Sequence, residues 1–247
     1  MQVSDFAVPY HAGTGPVGVL FCHGFTGSPW SLLEWAKYTQ AAGHRVAVPR
    51  LPGHGTSWQE MNLTGWQDWY SCVEREFLSL RGQCEQVFVT GLSMGGALAL
   101  RLAERYRDDV AGLVLVNPAV MGYFNTNFAP FLSKCMTSAK AVGSDLKDPD
   151  ADEHAYDRTP LKAAASMLRM WVDVRACLDL VSCPLLVYRS AVDHVVPAAS
   201  TAFIMSHVSS EERSERILLN SYHVATMDHD KQTIFEGCAE FIAEHRR

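Results

Sequence analysis

The sequence predicts an α/β fold built on a mostly parallel, doubly wound sheet. Short apolar runs rich in β-branched residues, among them Val17–Cys22, Arg45–Val48 and Gly112–Val116, alternate with amphipathic helical stretches. Gly91-Leu92-Ser93-Met94-Gly95 lies between one such run, residues 87–89, and an apolar helical stretch at 97–103. That is the strand–turn–helix context of a nucleophile elbow. The candidate polar residues downstream also follow strands, which gathers them at the carboxyl edge of a parallel sheet.

Taken in order, residues 6–9 and Val17–Cys22 read as strands joined by a turn at 11–16. The second strand runs into His23-Gly24-Phe25-Thr26-Gly27-Ser28, and Ser28 is placed to cap a helix over 29–42. Arg45–Val48 is the third strand, followed by the turn-rich loop 49–55, in which His54 reads as loop packing. A helix over 64–80 carries Trp66, Trp69, Tyr70, Val73 and Phe77 at helical spacing, a core stripe. The elbow follows, then the buried strand Gly112–Val116.

After Asn117-Pro118 the alternation breaks. Residues 119–157 show no clean strand or helix, which points to a lid or inserted cap spanning about 119–175 of a single domain at 1–247. Met121, Tyr123, Phe124, Phe128, Phe131, Leu132 and Met136 can line an apolar groove there. The segment then turns acidic through Asp145, Asp148, Asp150, Asp152 and Glu153, and most of these read as solvated. Thr159-Pro160 starts the next helix. The sheet resumes at 184–189, and its last strand is 217–219. The final helix covers Lys231–His245.

Composition narrows the function. The 247 residues are 48% hydrophobic and 19% charged, enough for one full core. A net charge of -6 with no basic run argues against nucleic acid as a partner. The start lacks a basic and then apolar signal segment, and no apolar run reaches membrane-spanning length. Seven scattered cysteines without a C-x-x-C pair suit reduced thiols, so a cytoplasmic location is expected. Neither a metal-ligand spacing nor a phosphate-cradling loop is present, and no cofactor or metal is expected.

The elbow makes Ser93 the candidate nucleophile. A strand turning straight into a helix crowds the positions two before and two after the serine, so both are glycine. The Met94 N–H then opens a helix and can donate to a developing oxyanion. The loop after the second strand offers the Phe25 N–H as the second donor. Asp193 follows the strand at 184–189, and His223 follows the last strand. The order Ser93, Asp193, His223 is that of an α/β-hydrolase. His223 is the expected base and Asp193 its orienting acid. His23 reads as a buried structural histidine. His194 adjoins the acid and points away from it, His229 faces solvent, and Asp228 lies too far beyond the last strand.

With these residues in place, the chain resembles the bacterial monoacylglycerol lipases and small carboxylesterases of the α/β-hydrolase superfamily. His23-Gly24-Phe25-Thr26-Gly27, Gly91 to Gly96, Asp193-His194-Val195-Val196-Pro197 and Asn220 to Thr226 carry the likeness, as does the run from Gly143-Ser144-Asp145 to Thr159-Pro160. The resemblance implies an apolar acyl tunnel under the cap and a small polar pocket for glycerol. It implies Phe25 and Met94 as oxyanion donors and Glu153 as the contact to a glycerol hydroxyl. The expected activity is hydrolysis of a monoacylglycerol to fatty acid and glycerol through an acyl-enzyme. Competing readings are a general carboxylesterase without glycerol preference and a slow-turnover binding protein of the same fold. Because such substrates partition into lipid, transient membrane contact through the cap is compatible with the sequence. Acyl-chain length and oligomeric state leave no mark on it.

Overall fold

The computed structural model describes residues 3–123, 129–141 and 143–246. Its strands in chain order are β1 (Tyr10–Ala12), β2 (Val17–Cys22), β3 (Arg45–Val48), β4 (Gln86–Leu92), β5 (Gly112–Val116), β6 (Ser138–Lys140), β7 (Arg158–Pro160), β8 (Leu185–Ser190) and β9 (Arg213–Leu218). Seven of them form one sheet in the order β1-β3-β2-β4-β5-β8-β9, and β6 pairs with β7 in a separate antiparallel ribbon. Within the main sheet only β1 runs antiparallel to its neighbour.

The helices are α1 (Trp30–Ala41), α2 (Trp58–Met61), α3 (Trp66–Arg81), α4 (Met94–Tyr106), α5 (Ala129–Leu132), α6 (Leu161–Arg175), α7 (Ala198–His207) and α8 (Lys231–His245). They cover both faces of the sheet, which explains why its central strands read as unbroken apolar runs. Alternate side chains go to opposite cores. Leu20, Val87, Val89, Leu113 and Leu115 pack with α3, α4 and α6. Val19, Phe21, Phe88, Val114 and Val116 pack with Trp35 of α1 and Phe235 of α8. All seven cysteines are free thiols.

Several local expectations differ from what forms. Residues 5–7 make a 3₁₀ turn, and the first strand is Tyr10–Ala12, three residues at the sheet edge. Ser28 accepts the Trp30 N–H at 3.3 Å although the helix starts two residues on. Thr159 and Pro160 end β7, with α6 beginning only at Leu161. The last strand starts earlier, at Arg213, because its first four residues are exposed and charged or polar on an edge that apolar patterning overlooks. Helices α2 and α7 and the β6–β7 ribbon have no counterpart in the sequence reading.

Residues 119–175, read as an inserted cap, therefore hold α5, the ribbon and α6. Ala163, Met167, Met170 and Trp171 of α6 share the core with α3 and α4. Among the described residues, no helix is long and apolar enough to cross a membrane.

Candidate active site

Ser93 sits between β4 and α4 at φ 57°, ψ -120°, a conformation that costs a non-glycine residue about 1–3 kcal/mol. Its surroundings hold it there. The Ser93 N–H donates to Val116 O at 3.0 Å, and Ser93 O accepts from Gly96 N and Ala119 N at 2.9 and 3.0 Å. A Cβ at Gly95 would strike the Cys22 carbonyl, and one at Gly91 would strike the backbone of Gly95. Both glycines are thus required by close backbone approach.

Asp193 and His223 meet at the carboxyl ends of β8 and β9, with His223 Nδ1 2.8 Å from Asp193 Oδ2. The other carboxylate oxygen accepts the Val195 and Val196 N–H groups at 2.8 and 2.7 Å. Burial alone would raise the Asp193 pKa, but the His223 charge and these hydrogen bonds outweigh it and hold the carboxyl below its ordinary range. For His223 burial works downward, and the Asp193 charge and hydrogen bond, then the Glu153 and Asp145 charges, outweigh it and raise the imidazole.

Ser93, Asp193, His223, Phe25 and Glu153 all line one cavity of about 940 Å³. Leu132, Leu161, Met167, Trp171 and Val196 contribute to its apolar wall. The Gly24–Phe25 backbone lies against the serine, since a Cβ on Gly24 would be 3.5 Å from Ser93 Cβ. Met94 is the first residue of α4, so no carbonyl within its own helix accepts its N–H. Tyr123 also reaches the cavity, whereas Phe131 and Met136 are exposed; Phe124 and Phe128 lie outside the described residues.

Glu153 departs from the rest of the acidic run. It is 7% exposed, and burial raises its carboxyl to about 7 while His223 opposes the rise and Asp152 adds to it. Its Oε1 fills the space a side chain would occupy at Gly27, so that glycine makes room for the carboxylate. The neighbouring turn is fixed from outside, where His154 stacks on Phe6 and Trp30 Nε1 donates to Asp152 O at 3.1 Å.

His23 is fully buried. Its Nδ1 is 3.0 Å from Gly24 O, its Nε2 accepts the Leu51 N–H at 3.2 Å, and burial lowers its pKa to about 4. His54 packs edge-on against His23 and Trp69. His229 is exposed, and His194 turns to Asp145. Asp228 is buried and accepts backbone N–H groups of Lys147, Asp148 and Tyr222.

Two polar residues of the site escape the sequence reading. Asn117, at φ 45°, donates through Nδ2 to His223 O at 2.8 Å and to Ser190 Oγ at 3.0 Å. Asp145, read as part of a solvated run, accepts the His223 backbone N–H. Asn117-Pro118 at a strand end is the one local signal; the partners of both lie far along the chain. Among the described residues no cluster of His, Cys, Asp and Glu is arranged to hold a metal ion.

The family model described as serine aminopeptidase, S33, matches residues 17–230. The chain is 42% identical to a thermostable monoacylglycerol lipase of Bacillus sp. (strain H-257), over 97% of this chain and 95% of that protein. It is 25% identical to a carboxylesterase of Bacillus subtilis (strain 168), over 95% of each. A solved structure from work on the metagenome-derived lipolytic enzymes LipS and LipT superposes with a TM-score of 0.96. It is 36% identical, covering 99% of this chain and all of the other. The monoacylglycerol lipase of Paleococcus ferrophilus shares the fold at a TM-score of 0.82 and 18% identity, with both chains fully covered.

Proposed function

We propose a reaction for this chain on one premise: the chain belongs to the serine hydrolase family described as serine aminopeptidase, S33, and has the α/β-hydrolase fold. It is a carboxylic ester hydrolase, and its substrate in this proposal is a monoacylglycerol. The observation that carries the reading is the 2.8 Å bond between His223 and Asp193 in the lining of an apolar cavity shared with Ser93.

In this reading the acyl chain lies along the apolar wall with its ester carbon beside Ser93. His223 takes the Ser93 proton as Oγ attacks, and Asp193 stabilises the imidazolium. The oxyanion accepts hydrogen bonds from the Phe25 and Met94 N–H groups. The tetrahedral species collapses, His223 protonates the departing glycerol, and water activated by His223 releases the fatty acid. Glu153 accepts a glycerol hydroxyl. A hydrogen bond to a charged acceptor is worth about 1.5–3 kcal/mol where water is excluded, enough to favour glycerol esters. Residues 119–175 act as the cap over this cavity, and their exposed Phe131 and Met136 are suited to transient contact with a lipid surface.

The similarity to a carboxylesterase favours a second reading, an esterase indifferent to the alcohol. Turnover of a monoacylglycerol against a simple alkyl ester of the same acid separates the two. Preference for the monoacylglycerol supports the first reading; parity supports the second.

A further inference from the structure

We propose that Asp145 is a positioning residue for His223, fastening the loop of the base to the loop of the acid from within the inserted segment. The proposal rests on the roles given above to Ser93, Asp193 and His223.

The Asp145 side chain is only 11% exposed, and three N–H groups converge on it. Its Oδ2 accepts the backbone N–H of His223 at 3.2 Å and that of His194 at 3.1 Å. Its Oδ1 lies 2.8 Å from Nδ1 of the His194 ring. Its own carbonyl accepts the Val224 N–H at 3.1 Å. One residue of the insertion therefore holds the backbone next to Asp193 and the backbone of the base at once. Asp228 strengthens the same seam from the other side, taking Lys147 and Asp148 N–H at 2.8 and 3.0 Å and Tyr222 N–H at 2.9 Å.

An ionised carboxylate is the side chain suited to this place, because it only accepts and both of its oxygens are engaged by donors. An asparagine keeps its oxygen on the two backbone N–H groups only by turning its NH2 to Nδ1 of His194, which then has to accept rather than donate. The His223 ring moves with its backbone, and a misplacement near 1 Å can cost about 100-fold in rate. Asp145 also matters by its charge. The charged groups that face His223 are Asp193, Glu153 and Asp145, and all three favour the imidazolium.

The test is Asp145→Asn in the full chain, with kcat counted per site titrated by a serine-directed phosphonate. We expect kcat to fall about 10- to 100-fold on a monoacylglycerol and on an aryl ester alike, with KM little changed. The acid limb of the kcat/KM profile should move to lower pH, because removing a negative charge lets His223 lose its proton sooner. A merely structural role would lower Tm and leave that limb in place. Full kcat per titrated site with an unmoved limb overturns the proposal. If Asp145→Asn does not fold, Asp145→Glu replaces it: a lowered kcat with the limb unmoved supports the proposal, and a wild-type kcat overturns it. Turnover surviving in Ser93→Ala would instead defeat the underlying reading of the site.

Discussion

His223 Nδ1 and Asp193 Oδ2 stand 2.8 Å apart with 8% and 6% of their side chains exposed. Because Val195 and Val196 occupy the other Asp193 oxygen, the imidazole has a single place to bind. That leaves Nε2 as the atom free to accept a proton. The tautomer follows from the acid's own hydrogen bonds.

Asp193→Asn should lower kcat by about four orders of magnitude through the wrong tautomer, with the fold intact. His223→Ala should be comparably damaged, and His229→Ala, exposed on the surface, should turn over near the wild-type rate. A His229→Ala loss equal to that of His223→Ala would show the base to be misassigned.

Ser93→Ala should lose ester turnover by several orders of magnitude, since nucleophile and base act as a unit. Peptide mapping after phosphonate treatment should find the label on Ser93 alone. A label on another serine contradicts the assignment.

Glu153→Ala should lower kcat/KM on a monoacylglycerol by about 10- to 100-fold and leave an aryl ester of the same acid nearly untouched. The preference should also depend on pH. The Glu153 carboxyl is raised to about 7, so the charged acceptor is present above that pH and lost below it. The ratio of the two rates in the wild-type protein should therefore rise as pH increases through 7. Equal losses on both esters would make Glu153 structural.

Glu104 governs a pH dependence of stability. Buried on α4 beside Arg101, it has a carboxyl raised to about 7, with burial outweighing the Arg101 bond at 2.9 Å. A carboxyl raised on folding contributes stability that is complete below its unfolded pKa and fades as pH rises through 7. Glu104→Gln should flatten the fall in Tm between about pH 4.5 and 7, measured by thermal unfolding. An unchanged slope counts against this account.

The buried strands were legible because helices cover both faces and turn residues bracket them. Val17–Cys22 and Gly112–Val116 form over the residues expected, as does the final helix Lys231–His245. The edges were not, since Tyr10–Ala12 and Arg213–Leu218 carry little apolar pattern. In the site, the order of Ser93, Asp193 and His223 after strands pointed to three residues that line one cavity. Asp145 and Asn117 were not, because each acts on a partner far along the chain, 78 residues away for Asp145 and 106 for Asn117. Such pairings leave no local spacing. Glu153 was singled out only through resemblance, as its burial against Gly27 joins distant parts of the chain.

The central claim, hydrolysis of a monoacylglycerol, is tested most directly by initial rates on mono-, di- and triacylglycerols of one acyl chain. Each should be presented under the same detergent conditions, with Ser93→Ala as the blank. One cavity that holds the Glu153 carboxylate beside Ser93 and His223 in its lining should favour the monoacylglycerol strongly over both others. Comparable rates on emulsified triacylglycerol would contradict the account.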